Sequence, residues 1–342
     1  VTRKISGVGA PNGFYPGTPS ERYPDGKVVH QDSGYYGGIY PDNYVFGLYT
    51  QGAGSKAENI TLELAKYFDN DVDLYFAYNG NDATELSPLT SSRAASNTPN
   101  NVWTGNQFNY PVSKRSIYET EHKFVLSLII NRNHFANLNT SYGFSFTRKS
   151  GNPYSWTFDA GNSEPWDGYR NNSFGLEYDL NRRNSGLLYI PTENDPNVCY
   201  GSCENPDNAF KAQFLDVIAQ LGLSDYAGSV VPAGTHTHNW VTTSTFQIRQ
   251  ELPGLYEGHS GELYFTMNNF LNFLNDEWGR VDYGMYNGIR PLVRFTTTDD
   301  LSKYIYTGFS SNSFDPDNPD GAWRTSGYQS VWRARIGFKY RF

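Results

Sequence analysis

The last twelve residues of the chain, 331–342, read VWRARIGFKYRF. The even positions carry the side chains Trp332, Ala334, Ile336, Phe338, Tyr340 and Phe342, and the odd positions from 333 to 341 carry Arg, Arg, Gly, Lys and Arg. This period of two predicts a β-strand with one apolar, aromatic face and one cationic face. Roughly 9 to 11 tilted residues span the hydrocarbon layer, so the stretch suits a transmembrane strand, and it equally suits a strand of a soluble sandwich. The terminal Phe342 favours a membrane interface, because chain ends in water usually fray.

The composition limits the class of protein. The chain has 342 residues, of which 38% are hydrophobic, and no apolar run approaches the roughly 18 residues of a membrane-spanning helix. A closed barrel escapes that requirement because only alternate residues face lipid. The 27 Tyr and 22 Phe fit a protein of many strands, whether in a membrane or secreted to bind carbohydrate. The net charge of −8 argues against nucleic acid as a partner.

Alternating segments along the chain predict an all-β fold of about ten antiparallel strands, from 44–49 to 330–342, including 291–297 and 303–309. Residues 1–43, dense in Gly, Pro and Tyr, predict a loop-rich extracellular segment. The connections between the strands alternate between short and long. This alternation of short and long connections is typical of outer-membrane barrels, which have short periplasmic turns and long external loops. Residues 44–342 are therefore predicted to form a transmembrane β-barrel whose C terminus lies in the periplasm.

The longest connection, 149–239, is predicted to be a folded extracellular subdomain, because loops of such length are rarely unstructured. It contains one predicted loop helix, from about Asn208 to Leu221, with Asp207 as its N-cap and apolar residues at helical spacing. Cys199 and Cys203, the only two cysteines of the chain, lie four positions apart in a loop rich in Gly and Asn. That arrangement predicts a disulfide formed in an oxidising compartment.

Five segments, in their order along the chain, resemble the carboxy-terminal barrel of Oar-like TonB-dependent outer-membrane receptors. They are ITLELAKYF (60–68), IRQELPG (248–254), GELYFTMNN (261–269), NDEWGRV (275–281) and VWRARIGF (331–338). The resemblance covers roughly residues 44–342. It implies a barrel of 22 strands, closed by an amino-terminal plug, which takes up a scarce solute with energy passed from the inner membrane through TonB.

The chain departs from that family pattern because it has about ten predicted strands and no recognisable plug. Ten strands cannot enclose a plug domain, since barrel diameter grows with strand number. We therefore expect the chain to be the carboxy-terminal part of a receptor barrel, with the remaining strands and the plug as partners. The resemblance further implies contact with TonB-ExbB-ExbD through the plug, and with outer-membrane lipid and lipopolysaccharide. It also identifies the residues of the C-terminal barrel-assembly strand, namely Ile336, Phe338, Tyr340 and Phe342.

Two groups of residues suggest ligand binding, and each also has a simpler explanation. The aromatic side chains Tyr154, Trp156, Trp166 and Tyr169 could stack on a sugar or a flat chelate, or they could form the core of the long loop. His236 and His238 lie on the same side of an extended segment, as in some transition-metal sites. No third ligand is apparent, so solvent-exposed loop histidines are the simpler interpretation.

We expect no cofactor. Asp315, Asp317 and Asp320 resemble a calcium loop in composition, but the spacing is not that of an EF-hand, and turns built on Asp and Pro explain the stretch equally well. The cationic row of Arg333, Arg335, Lys339 and Arg341 could guide an anionic solute or contact acidic residues of the barrel wall. No sequence motif of hydrolases, metalloproteases or phosphate-binding enzymes is present, so we do not expect an enzyme. Two alternatives to the receptor remain open, a secreted all-β glycan-binding protein or adhesin and a small autonomous outer-membrane pore.

Overall fold

The structure is a computed structural model that describes residues 55–86, 113–135, 137–159, 187–284, 288–298, 303–310, 314–319, 321 and 324–342. The loop-rich segment 1–43 and the strand predicted at 44–49 lie outside these residues. Within them, no helix is both long and apolar enough to cross a membrane.

The described residues are mostly β-strand, which confirms the predicted all-β class. In chain order the strands are β1 (Lys56–Phe68), β2 (Val72–Glu85), β3 (Lys114–Arg115), β4 (His122–Phe135), β5 (Leu138–Lys149), β6 (Pro153–Asp159), β7 (Tyr189–Ile190), β8 (Val198–Tyr200), β9 (Ser229–Val230), β10 (His236–Thr237), β11 (Val241–Pro253), β12 (Ser260–Asn268), β13 (Asp282–Tyr283), β14 (Ile289–Thr297), β15 (Tyr304–Phe309), β16 (Arg324–Thr325) and β17 (Arg333–Arg341). The helices are α1 (Asn208–Gln220), α2 (Phe270–Leu274) and a 3₁₀ turn at Ser224–Tyr226.

Seven long strands form one antiparallel sheet in the order β1-β2-β4-β5-β11-β12-β17, and the short β3 extends the pairing of β2. Three hairpins close one end of this sheet with short turns, where Asp71 and Asn137 adopt the positive φ angles of tight turns. The long connections leave from the opposite end. In the part of the chain that the structure describes, the outer edges of β1 and β17 have no strand partner.

The large sheet contains fewer strands than the ten that the alternation predicts. Residues 291–297 and 303–309 do form strands, which are β14 and β15. These two strands belong to a different sheet, of order β10-β6-β14-β15-β8. That sheet pairs β14 with β6, and β15 with β8, in parallel. The neighbouring residues Leu292 and Val293 are both fully buried, so β14 is covered on both faces, as is usual for parallel strands.

This second sheet, together with α1 and the small β7-β9 sheet, forms a compact unit that we call the inserted domain. Its hydrophobic core combines residues from β6, β8, β14 and β15 with Phe214, Val217 and Ile218 of α1. The predicted helix is confirmed: it begins after Asp207, whose side chain accepts a hydrogen bond from the backbone N–H of Phe210 at 2.9 Å. A disulfide joins Cys199 to Cys203 beside this helix.

The segment that contains β3 connects the inserted domain to the large sheet. Its Ser116 donates a hydrogen bond to Glu85 at the end of β2, at 2.8 Å, and the backbone carbonyl of Ile117 accepts one from Asn152 at 3.0 Å. Arg115 forms ion pairs with the buried Glu119 and the more exposed Glu121. The inserted domain is therefore anchored at the end of the sheet where the long connections leave.

Candidate functional site

The large sheet has one face formed almost entirely by apolar side chains, which we call the apolar face. The strand registers place its members side by side: Phe144 pairs with Leu128 on one neighbour and with Phe246 on the other. Many of these side chains are open to the surroundings, including Leu64 at 59% and Phe338 at 61% exposure. The apolar face includes Leu62, Leu64, Leu74, Phe76, Leu126, Leu128, Phe144, Phe146, Phe246, Ile248, Phe265, Ile336 and Phe338.

The apolar face differs from the core of the inserted domain in what covers it. Every residue in the cluster of buried hydrophobic side chains lies in the inserted domain or in the segments that cover it, and none comes from the seven long strands, as far as the described residues extend. Leu187 and Leu188 of that cluster are fully buried. An exposed apolar surface as extended as the sheet face marks a contact with another protein or with a membrane.

Aromatic side chains lie at both ends of the apolar band. At the end with the long connections, Tyr78 contacts Phe124 and Phe124 contacts Trp240, with ring centroids 5.0 and 6.3 Å apart. Phe273 of α2 contacts Trp332 at 5.3 Å in the same region. At the end with the short turns lie other aromatic side chains, which include Tyr142, Tyr256, Tyr340 and Phe342.

The predicted C-terminal strand residues belong to this apolar face. Ile336 and Phe338 are exposed, and Phe342 is 96% exposed. Tyr340 differs, since its hydroxyl forms hydrogen bonds with the imidazole Nδ1 of His259 at 2.9 Å and with the backbone N–H of Leu255 at 3.0 Å. The phenol of Tyr340 therefore ties β17 to the turn between β11 and β12.

The opposite face of the sheet is polar. Amide and hydroxyl side chains bond across its strands: Asn79 donates to Thr61 at 2.9 Å, and Gln247 donates to Thr266 at 3.1 Å. The cationic row of β17 lies on this face. Of its four members, Lys339 stands opposite an acidic residue, Glu262.

The inserted domain places the predicted ligand-binding aromatics Tyr154 and Trp156 in its core. They are 4% and 0% exposed, so of the two roles open for these aromatics, ligand stacking or loop core, both rings take the core role and neither offers a face to a ligand. The indole N–H of Trp156 donates to Nδ1 of His236 at 3.0 Å. Their strand, β6, lies between β10 and β14 in the sheet and is buried along its whole length within the hydrophobic core of the inserted domain. The other two predicted aromatics, Trp166 and Tyr169, lie outside the described residues.

Arg290 is a buried cation in the middle of this core. Its guanidinium carbon lies 4.9 Å from the ring of Trp156 and 5.8 Å from that of Tyr154, which are cation–π distances. Its NH2 donates to the backbone carbonyls of Pro319 and Gly321 at 3.1 and 2.6 Å. Because these carbonyls belong to the segment that follows β15, Arg290 anchors that segment to the inserted domain.

The two histidines that could have formed a metal site have other roles. The indole of Trp156 can only donate, so Nδ1 of His236 accepts and its Nε2 donates to the carbonyl of Leu221 at 3.1 Å. Both ring nitrogens are thus engaged. The ring of His238 packs against that of Tyr154 in a tilted arrangement, with the ring centroids 4.6 Å apart. Burial and the nearby Arg290 lower the pKa of His238 to about 4, although Asp282 acts in the opposite direction.

The Asp-rich segment shows turn chemistry. The side chain of Asp315 accepts a hydrogen bond from the backbone N–H of Asp317 at 3.0 Å, which is the geometry of an Asx turn. Asp320 lies outside the described residues. Among the residues that the structure describes, no group of three or more His, Cys, Asp or Glu side chains could hold a metal ion.

A cavity of about 790 Å³ opens where the long connections leave the apolar face. Its charged lining residues are Arg148, Glu277, Arg280 and Asp282. Its remaining lining residues are Phe146, Asn239, Trp240, Thr242, Leu271, Trp278, Gly279, Asn318, Gly321 and Thr325.

The sequence alone did not reveal this cavity or the role of Arg290. The guanidinium carbon of Arg148 lies 5.3 Å from the centroid of the Trp240 ring, although more than ninety positions separate the two residues in the chain. One signal was available: Arg148 has the same parity as Phe144 and Phe146, so alternation places a cation on the apolar face. Comparisons of the chain with protein-family models, curated proteins and solved structures find no match.

Proposed function

We propose that the chain is part of the wall of a transmembrane β-barrel in a bacterial outer membrane, and that the barrel is a TonB-dependent receptor for energy-coupled uptake of a scarce solute. The observation that carries the proposal is the apolar face of the large sheet, with exposed aliphatic side chains between two groups of aromatic ones. Outer-membrane barrels have this arrangement, in which a lipid-facing band is flanked by aromatic girdles at both interfaces.

The lengths of the strands and the polarity of their second face support the same proposal. β5 has 12 residues and β11 has 13, and roughly 9 to 11 tilted residues cross the hydrocarbon layer. The hydrogen-bonded amides and hydroxyls of the polar face suit a water-filled lumen. With this orientation the short turns and the C terminus lie in the periplasm, and the inserted domain lies outside the cell.

The edges of β1 and β17, which have no strand partner among the residues that the structure describes, support the proposed partners. An unpaired strand edge in lipid leaves backbone groups without hydrogen bonds, which is costly. We propose that further strands of the receptor pair with these edges, and that the plug occupies the completed lumen and communicates with TonB-ExbB-ExbD. The resemblance of residues 60–68, 248–254, 261–269, 275–281 and 331–338 to Oar-like receptors is the basis for naming this class of barrel.

Fractionation followed by native mass spectrometry tests the proposal. The native protein, taken from the cells that produce it, is expected to stay in outer membranes washed with alkaline carbonate and to require detergent for extraction. In native mass spectrometry the extracted particle should be heavier than the chain alone. A chain that is soluble and monodisperse without detergent would instead support a secreted glycan-binding protein. A membrane-inserted particle of one chain would support a small autonomous pore.

A further inference from the structure

Two lysines face each other on the polar face of the large sheet, at the end where the long connections leave. Lys123 is the second residue of β4, Lys149 is the last residue of β5, and the two are register partners. Their positions are four residues from Ser127 and Ser145, another register pair of the polar face, so the alternation of a strand places all four side chains on that face. We call Lys123 and Lys149 the lysine pair.

The backbone hydrogen bonds bring the lysine pair as close together as an antiparallel sheet allows. The backbone N–H of Ser150 donates to the carbonyl of His122 at 2.8 Å, so these two residues form a hydrogen-bonded pair. Hydrogen-bonded and non-hydrogen-bonded pairs alternate along an antiparallel ladder, so the lysine pair is of the second kind, in which the Cα atoms are about 4.5 Å apart and the side chains are closer. Like charges directly opposite each other destabilise a sheet.

The positive charge of the lysine pair is not neutralised by the described residues. Neither ammonium group forms an ion pair in the part of the chain that the structure describes. Glu121, two positions before Lys123, is already engaged, because it forms an ion pair with Arg115 at 2.7 Å. The outer register partners of the lysine pair are Asn79 and Val241, which are uncharged.

A like-charge pair at the other end of the polar face is compensated within the chain. Glu251 and Glu262 are register partners, but Glu262 also stands opposite Lys339. The carboxylate of Glu251 accepts a hydrogen bond from the backbone N–H of Asn139 at 3.0 Å. The glutamate pair therefore has a cation and a donor beside it, whereas the lysine pair has no such counter-charge among the described residues.

The surroundings of the lysine pair suit an oxyanion. Lys123 is exposed on the polar face, so its ammonium group is accessible from that side of the sheet. Thr147, two positions before Lys149 on the same face, is the register partner of Thr243. The hydroxyl groups of both threonines can donate hydrogen bonds to anionic oxygen atoms.

We propose that Lys123 and Lys149 bind a phosphate group of the imported solute where the solute enters the lumen. Two ammonium groups balance the charge of a phosphate monoester, which is close to −2 above its second pKa of about 6, and lysine binds phosphate as a point charge. The proposal rests on the proposed function, because it requires the polar face to line the lumen. It goes further by naming the chemical class of the solute and the side chains that recognise it.

The test is isothermal titration calorimetry with the native particle, extracted in detergent from the cells that produce it. The probe is inorganic phosphate in a chloride buffer at pH 8 and constant ionic strength, compared with acetate, which carries a single charge. Lys149→Gln removes one member of the lysine pair. Lys339→Gln is the matched control, since it removes a lysine from the same face of the sheet at a position opposite Glu262.

We expect Lys149→Gln to weaken phosphate binding about fivefold or more, and Lys339→Gln to change it less than about twofold. Equal phosphate binding by wild type and Lys149→Gln would overturn the inference, as would acetate binding as tight as that of phosphate.

The stability of the phosphate-free particle provides a second measurement. Lys149→Gln should melt at the same temperature as wild type or at a higher one, because it removes the repulsion between like charges. A lower melting temperature would mean that the lysine pair is neutralised by carboxylates elsewhere in the receptor, and it would also overturn the inference. Carbonate washing of membranes separates the two proposals. A particle that stays in the membrane but fails the phosphate test overturns only the lysine site, whereas one that washes off overturns both.

Discussion

Replacing Leu128 by arginine tests the assignment of the two sheet faces. Leu128 is the seventh of 14 residues in β4, and its register partners on the apolar face are Leu74 and Phe144. In a membrane barrel this position is near the middle of the lipid-facing band. A lipid-facing arginine at mid-depth costs about 2–4 kcal/mol. The ratio of folded to unfolded chain should therefore fall by a factor of roughly 30 to 1,000, since each 1.4 kcal/mol is tenfold.

Ser127→Arg is the matched control. Ser127 precedes Leu128 on the same strand, points to the polar face, and has the uncharged register partners Tyr75 and Ser145. Its side chain would enter the water-filled lumen, so we expect a change within about 0.5 kcal/mol. The assay is reversible guanidinium unfolding of each variant in phospholipid vesicles, followed by tryptophan fluorescence. If the two arginine variants were equally stable, the assignment of the faces would be refuted.

Three further predictions concern the inserted domain. Arg290→Met should leave two backbone carbonyls unsatisfied, cost about 1–3 kcal/mol, and speed amide hydrogen exchange in residues 314–319; unchanged exchange there would contradict the anchoring role. The pKa of His238 is lowered from 6.5 to about 4, so the neutral form stabilises the fold fully above pH 6.5, and this stability is lost as the pH falls towards 4. In melting curves from pH 7 to pH 4, His238→Gln should therefore lose less stability than wild type, and parallel curves would contradict this. The Cys199–Cys203 disulfide joins residues only four positions apart, so its reduction should cost at most about 2 kcal/mol by denaturant titration, and complete unfolding of the domain would show a larger role.

Several features were predictable because their signal is local in the chain. The alternation of Leu126, Leu128 and Ile130 predicts a strand and the face on which each side chain lies, and β4 carries them in that way. Helix α1 was predictable from its apolar spacing and from the cap at Asp207. The cation of Arg148 on the apolar face could have been noticed from parity alone.

Other features depend on contacts between distant segments. The strands at 291–297 and 303–309 have strand-like sequences, but no local pattern tells whether a strand joins the long antiparallel sheet or the parallel pairs of the inserted domain. The same holds for Tyr154 and Trp156, whose burial depends on core residues from segments far away in the chain. Aromatic residues in a core and at a ligand site look alike in sequence.

The amino-acid sequence by itself thus determined the all-β class, the helix and the two chemically different faces of the long strands. These follow from backbone geometry, because successive side chains of a strand must point to opposite sides. Only the tertiary structure decided which strands are neighbours, that Arg290 is enclosed by aromatic rings, and that Arg148 meets Trp240 beside a cavity. Such outcomes depend on pairing between residues far apart in the chain, where the free energy of packing and hydrogen bonding selects one partner among several with similar local sequence.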